Sequence, residues 1–232
     1  MIKVERLSHS FFVGKKNNRQ EVSVLRDISL EVREGEVVSI VGRSGSGKST
    51  LLNLMSGYIK PTEGDIFIAD ERVTEYKESE WAEFRSDHLG FIFQSFQLIP
   101  SMTAYQNIEL PLVMKGVSEK EREKRVHEML IKVGLDEYQE HYPSELSGGQ
   151  QQRVSVARAL IVQPPIILAD EPTGSLDQET EKELLDFIQK LNIEENITFV
   201  IITHDEEVAQ IADRTIRLED GRLAADREVA FR

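Results

Sequence analysis

Apolar and polar positions alternate through "IKVERLSHSFF" and "SVLRDISLEV", the pattern of short strands with one buried face. The polar stretch "VGKKNNRQE" between them reads as a loop. After a turn at Glu34-Gly35, "EVVSIVG" reads as a further short strand. "KSTLLNLMSGY" then fits a helix, and "PTEGDIFIADERV" fits a turn and a further strand or hairpin. From Ser79 to Pro143 the pattern predicts mostly helix. Its clearest case is "SEKEREKRVHEMLIKVGL", where Ser118 and Glu121 form a capping box, Val126, Met129, Leu130 and Val133 make one stripe, and Gly134 is the stop. Two buried strands, "PPIILAD" and "ITFVIITHD", alternate with a helix around Leu184, Leu185, Ile188 and Leu191. "TIRLEDGRLAAD" closes the pattern as a hairpin turning on Asp220-Gly221.

This order predicts one α/β domain over residues 1–232. Residues 1–78 and 160–232 form its core together with a β subdomain, and a helical subdomain occupies about 79–159.

None of the apolar runs approaches the roughly 20 residues of a membrane helix. With 28 basic and 41 acidic residues the net charge is −13, which repels nucleic acid and anionic lipid. Work at a membrane would therefore require another protein to hold the chain there. Cysteine is absent, which removes disulfides and thiolate metal sites. "MIKVERLSHSFF" has no basic segment leading into an apolar one, so a cytoplasmic location is expected.

"GRSGSGKS", Gly42 to Ser49, matches G-x-x-x-x-G-K-[ST] between a β-rich run and a helix. Its glycines let backbone N–H groups close around phosphates, Lys48 reaches the same phosphates, and Ser49 offers a hydroxyl to Mg²⁺. "IILADEP" ends a buried strand on two carboxylates: Asp170 suits a metal contact, and Glu171 suits a general base toward water. His204 follows "FVIIT" at the same kind of strand end, where an imidazole could stand near a γ-phosphate. His9, His88, His127 and His141 lie in polar settings and read as surface residues, and Gln94 alone carries no assignment. "ELSGGQQQRVSVARAL" adds a puzzle, because Ser147, Gly148 and Gly149 before a helical run make a second anion site in a chain that already has one.

The order of these motifs resembles the ATP-binding subunit of ABC transporters across essentially the whole chain. "GRSGSGKST" corresponds to Walker A, Gln94 to the Q-loop, "LSGGQ" at Leu146 to Gln150 to the signature, "ILADE" to Walker B, "SLD" at Ser175 to Asp177 to the D-loop and His204 to the switch histidine. "FIFQSFQLIPSMTAYQNIELPL", "YPSELSGGQQQRVSVARAL" and "ADEPTGSLD" resemble the MacB/LolD-type branch, and "SGYIKPTEG" looks closest to its YtrE-type members. Arg43 stands where the family more often has proline.

The resemblance implies a P-loop ATPase of ABC type, with a RecA-like core, an N-terminal antiparallel β subdomain and an inserted helical subdomain. It implies ATP and Mg²⁺ as cofactors. Gly42, Ser44, Gly45, Ser46, Gly47, Lys48, Ser49 and Thr50 would hold the phosphates. Ser49, Asp170 and Gln94 would serve the metal, and Glu171, His204 and Gln94 the reaction. Phe11 would stack on adenine, with Phe12 as the competing choice. In this family two subunits pack head to tail, so Ser147, Gly148, Gly149, Gln150 and Asp177 would act on the partner's ATP.

The partners implied are a second ATPase subunit, the same or a paralogue, and a separate membrane permease gripped near Gln94 to Met102. The subunit would then sit on the inner face of the membrane. Two alternatives share the motifs. A cell-division-type ATPase would drive a membrane protein without moving a solute. A soluble DNA-repair or translation ATPase would carry a second ATPase domain or a long coiled coil between Q-loop and signature, whereas the interval from Gln94 to Leu146 holds one short helix and no sustained heptads, and the chain is acidic.

Overall fold

The computed structural model describes residues 1–14 and 19–228; the loop read at "VGKKNNRQE" falls partly outside them. Two sheets form the frame. An antiparallel sheet has the order β2-β1-β4-β5, with β1 at Ile2–Val13, β2 at Gln20–Val32, β4 at Glu63–Ile68 and β5 at Glu71–Arg72. The second sheet runs β10-β9-β3-β8-β7-β6, with β3 at Val37–Val41, β6 at Leu89–Phe93, β7 at Ile166–Asp170, β8 at Thr198–Thr203, β9 at Arg214–Glu219 and β10 at Arg222–Glu228. Within it β6, β7, β8, β3 and β9 are parallel, and β10 returns antiparallel.

β1 and β2 are long strands, where alternation predicted short ones. Register shifts between Val4 and Ser10 break the two-residue period without ending the pairing. β3, β7 and β8 are buried along nearly their whole length, which is why their sequences do not alternate. The Asp220-Gly221 turn has φ of 47° and 75°, the left-handed pair that matches strand twist in a two-residue hairpin.

Helix α1, Lys48–Met55, and helix α2, Glu78–His88, cover one face of the parallel sheet; Leu51, Leu54, Trp81 and Phe84 share a core with Ile40, Leu168 and the antiparallel sheet. Helix α6, Gln178–Glu195, packs Leu184, Leu185, Ile188 and Leu191 on the opposite face. A short helix, α7, spans Glu206–Gln210. A third cluster joins helices α3 (Ala104–Met114), α4 (Glu119–Lys132) and α5 (Gly148–Leu160) through Ile108, Leu112, Val126, Leu130, Val154 and Ala157.

Two expectations need correction here. The helical segment drawn from residue 79 is interrupted: Leu89–Phe93 is an edge strand of the parallel sheet, and α2 belongs to the sheet's core. A five-residue apolar run directly after a helix is too short for its period to be read. Ser118 does stand at the start of α4, but its side chain makes no capping bond, and Glu121 pairs with Arg125 instead. The Val126, Leu130 and Val133 stripe and the Gly134 stop, at φ 67°, are as expected.

Candidate nucleotide site

Strand order brings the motifs together. β3, β8, β7 and β6 are adjacent and parallel, so their carboxyl ends present Gly42, His204, Asp170 with Glu171, and Gln94 along one edge. A cleft of about 680 Å³ opens there, lined by Arg43, Ser44, Gly45, Gly47, Lys48, Ser49, Thr50, Glu171 and His204. Its size is that of a small-molecule site.

The loop after β3 is shaped by its glycines. Gly45 and Gly47 have φ of 82° and 105°, and a Cβ at Gly42 would stand 2.3 Å from the Leu218 carbonyl oxygen. Lys48 is 8% exposed, and its ammonium donates to the Gly42 carbonyl at 2.7 Å and the Arg43 carbonyl at 3.3 Å. The ammonium therefore sits against the loop's own carbonyls at Gly42 and Arg43. Ser46 is buried, and its hydroxyl has no protein partner among the described residues. The hairpin tip braces the loop from outside: Gly221 N–H donates to the Ser46 carbonyl, and Arg26 N–H donates to the Gly221 carbonyl.

Across the cleft, the Ser49 hydroxyl stands near the Asp170 carboxyl and favours its charged form. Burial, and then the neighbouring Glu171 charge, push the Asp170 carboxyl above the usual carboxylate range, against the pull of Ser49 and Lys48. A raised folded-state pKa means stability that is full at low pH and is lost as pH rises through the Asp170 titration. Asp170→Asn should therefore melt at an increasingly higher temperature than wild type as pH is raised from below 4 to neutrality without metal. A melting difference that stays constant with pH would contradict the assignment.

Glu171 has φ 49°, a strained value for a side chain of its size. One oxygen, Oε2, accepts from the Thr203 hydroxyl at 3.1 Å, the His204 N–H at 3.3 Å and His204 Nδ1 at 2.9 Å. Because a carboxylate only accepts, Nδ1 carries the proton in that contact. Among the described residues Oε1 accepts no hydrogen bond, which leaves it to a water.

The remaining predicted residues lie apart from this cleft. Gln94 is bonded to the loop after Glu171: its Nε2 donates to the Gly174 carbonyl at 3.4 Å, and its backbone carbonyl accepts from Ser175 Oγ at 3.2 Å. Asp177 caps α6, accepting from Thr180 N–H and Thr180 Oγ1, and these bonds hold its carboxyl below the usual range. Phe11 is 42% exposed, packs edge-to-face on His9 and pairs across the strands with Val22. It does not line the cleft, but Val24, two residues beyond Val22 on β2, does. Phe12 pairs with Glu21 and is more exposed.

Ser147 caps α5: its hydroxyl accepts from Gln150 N–H, and Gln150 Oε1 accepts from Ser147 N–H. Gly148 and Gly149 are thus the first helical residues, not a break before the helix. Gly149 is packed so closely that a Cβ would stand 2.5 Å from Thr180 Cγ2. Ser147 and Gly148 are exposed, and none of Ser147 to Gln150 lines the cleft.

Sequence reasoning missed Val24 and Thr203, which carry no motif, and it misplaced two polar residues. His9 is buried, because the register shifts turn it inward. Gln152, whose place between Gln151 and Arg153 reads in the sequence as a polar helix face, is 1% exposed and ties α5 to the Pro172 carbonyl beyond Glu171. Of the other histidines, His127 is exposed, while His88 stacks on Phe84 and is half-buried.

Ser49 and Asp170 form an oxygen pair beside Lys48, a donor set that suits a hard cation such as Mg²⁺. No cluster of three or more His, Cys, Asp or Glu that could hold a metal exists among the described residues. That also suits Mg²⁺, which is usually held by one or two protein oxygens together with substrate phosphates. No helix among the described residues is long and apolar enough to cross a membrane.

Residues 25–174 match the ABC transporter family. The chain is 62% identical over 223 residues to the ABC transporter ATP-binding protein YtrE of Bacillus subtilis, covering 96% of each. It is 47% identical to the lipoprotein-releasing system ATP-binding protein LolD of Bacteroides fragilis, covering 96% of this chain and all of that one. Among solved structures it superposes with TM-score 0.91, at 41% identity and full coverage of both chains, on the ATP-binding cassette MJ0796 of Methanocaldococcus jannaschii, a dimer in a post-hydrolysis state bound to ADP and Pi.

Proposed function

The chain belongs to the ABC transporter ATP-binding proteins, and from that membership we propose that its two phosphate sites are halves of one composite site, each completed by a second subunit. It is an ATP-binding and ATP-hydrolysing subunit of the MacB/LolD branch, with a YtrE-like sequence. The single observation that carries the composite reading is that Ser147 caps an exposed helix N-terminus outside the cleft that holds Lys48. N-terminal N–H groups pointing away from the protein's own phosphate loop are placed to serve another subunit's. The dimeric relative that superposes over the whole chain supports the same arrangement.

In this reading the loop from Gly42 to Thr50 encloses the ATP phosphates, Lys48 neutralises them, and Phe11 stacks on adenine. Asp170 and Ser49 hold Mg²⁺, which when bound neutralises charge on the transferred phosphoryl group. Glu171 accepts a proton from the attacking water at Oε1 while Thr203 and His204 hold Oε2. Ser147, Gly148, Gly149 and Gln150 close on the γ-phosphate of the partner's ATP, with Asp177 beside them. Gln94 links this end of the sheet to the loop at Gly174 and Ser175.

Hydrolysis removes the γ-phosphate that joins two acidic subunits, so the dimer opens, and that motion drives a separate permease. The segment from Gln94 to Met102 and the adjoining groove at Tyr58, Phe91, Leu110 and Met114 form the permease contact, which holds the subunit at the inner face of the membrane. The lipoprotein-releasing and macrolide-export names of relatives favour transport over mechanotransmission.

Lys48→Ala tests the phosphate assignment. Charged hydrogen bonds are each worth about 1.5–3 kcal/mol, so MgATP affinity should fall by roughly 10- to 150-fold in equilibrium titration. Affinity within a factor of two of wild type would remove Lys48 and the cleft from the account.

A further inference from the structure

Arg158 lies on α5, about three turns from Ser147. It is largely buried, and burial pushes its pKa below the usual arginine value. Among the described residues its hydrogen bonds go to backbone carbonyls: Nη1 donates to the Gln97 carbonyl at 2.6 Å and Nη2 to the Phe96 carbonyl at 2.9 Å. Those two carbonyls belong to consecutive residues with φ of 59° and 52°, and the Gln97 N–H closes a three-residue turn on Ser95. Two adjacent non-glycine residues in the left-handed region persist only where the surroundings hold them. The planar fork of a guanidinium holds two N–H groups in a fixed geometry toward two neighbouring carbonyls, whereas an ammonium on a flexible stem does not fix their relative position.

The strap that contains this turn is fastened at both ends. Gln94 is bonded to Gly174 and Ser175. Buried Asn107 accepts from Ile99 N–H and donates to the carbonyls of Ile99, Met102 and Thr103. Between these anchors the Phe96 ring reaches Gly148, its Cζ 4.0 Å from where a Cβ would stand. Arg158 also lines the apolar groove with Phe91, Leu110 and Met114. One side chain therefore touches the signature helix, the turn after Gln94 and the groove.

We propose that Arg158 is a positioning residue that makes the signature helix and the Phe96–Gln97 turn move as one body, so that a shift of Ser147 on a partner's ATP is felt at Gln94 and in the groove. This rests on the composite-site reading. Arg158 touches no substrate, so it acts on turnover and leaves ATP binding alone.

Arg158→Lys keeps charge and stem but loses the fork. It should fold, bind ATP with unchanged KM and turn over about three- to thirtyfold more slowly, with faster amide exchange at residues 95–98. Glycine adopts the left-handed conformation freely, so adding Gln97→Gly to Arg158→Lys should recover part of the lost kcat.

An unchanged kcat, a parallel loss of KM and melting temperature, or no recovery with Gln97→Gly would each overturn the proposal. Should Arg158→Lys fail to fold, wild-type amide exchange decides the matter: protection at 95–98 and in the first turn of α5 must rise together when ATP is added, and independent behaviour overturns the linkage. A wild-type protein inert to ATP would instead overturn the function reading. Normal wild-type turnover with unaltered Arg158→Lys kinetics would overturn this inference alone.

Discussion

Glu171→Gln is expected to bind MgATP normally and to hydrolyse it about 10²- to 10⁴-fold more slowly, the range lost when a positioned general base is removed. The reason lies in the asymmetry of the carboxylate. Three donors converge on Oε2, from Thr203, the His204 backbone and the His204 ring. A glutamine of the same shape would turn its carbonyl oxygen toward those donors and present its NH₂ where Oε1 had been. The amide cannot take a proton from water, so the geometry survives and the chemistry does not. Single-turnover kinetics checks this, and a rate within about threefold of wild type would remove Glu171 as the base.

Ser147→Arg is expected to lower steady-state hydrolysis by about 10²-fold or more, while a single subunit still binds ATP within about twofold of wild type. The side chain projects from an exposed helix N-terminus that never enters its own cleft. A bulky cation there blocks a second subunit without touching the first subunit's nucleotide. The substitution also removes the N-cap bond to Gln150, worth about 0.5–2 kcal/mol. Ser147→Asn, which can still cap, separates that local cost from the block. If ATP affinity of Ser147→Arg fell as far as that of Lys48→Ala, the two halves would belong to one chain's site and the composite account would fail.

The parts of the site legible in the sequence are those whose signal is local. Gly42 to Ser49 is a contiguous spacing whose meaning depends only on a preceding strand and a following helix. Asp170 and Glu171 follow a run that is buried on both faces. The less legible parts depend on which neighbours the fold supplies.

β6 was hidden because five apolar residues cannot display a period, and its neighbour β7 lies far along the chain. His9 turned inward through a register shift that no local pattern announces. Gln152 looks like one more solvent-facing polar residue of a helix until the Pro172 carbonyl beyond Glu171 is brought to it. Gln94 sits at the expected sheet edge, yet its amide faces Gly174, because Ser175 and Gly174 are the groups the sheet order places beside it. Asp177 has a complete local role as a cap, which a motif gives no means of foreseeing.

Because one chain's ATP would be completed by another chain's Ser147, sedimentation should follow the bound nucleotide. The Glu171→Gln protein, which retains its ATP, should sediment as a dimer with MgATP and as a monomer with ADP. With Ser147→Arg added, it should remain a monomer while ATP stays bound. A dimer that forms regardless of nucleotide, or one that survives Ser147→Arg unchanged, would contradict the account.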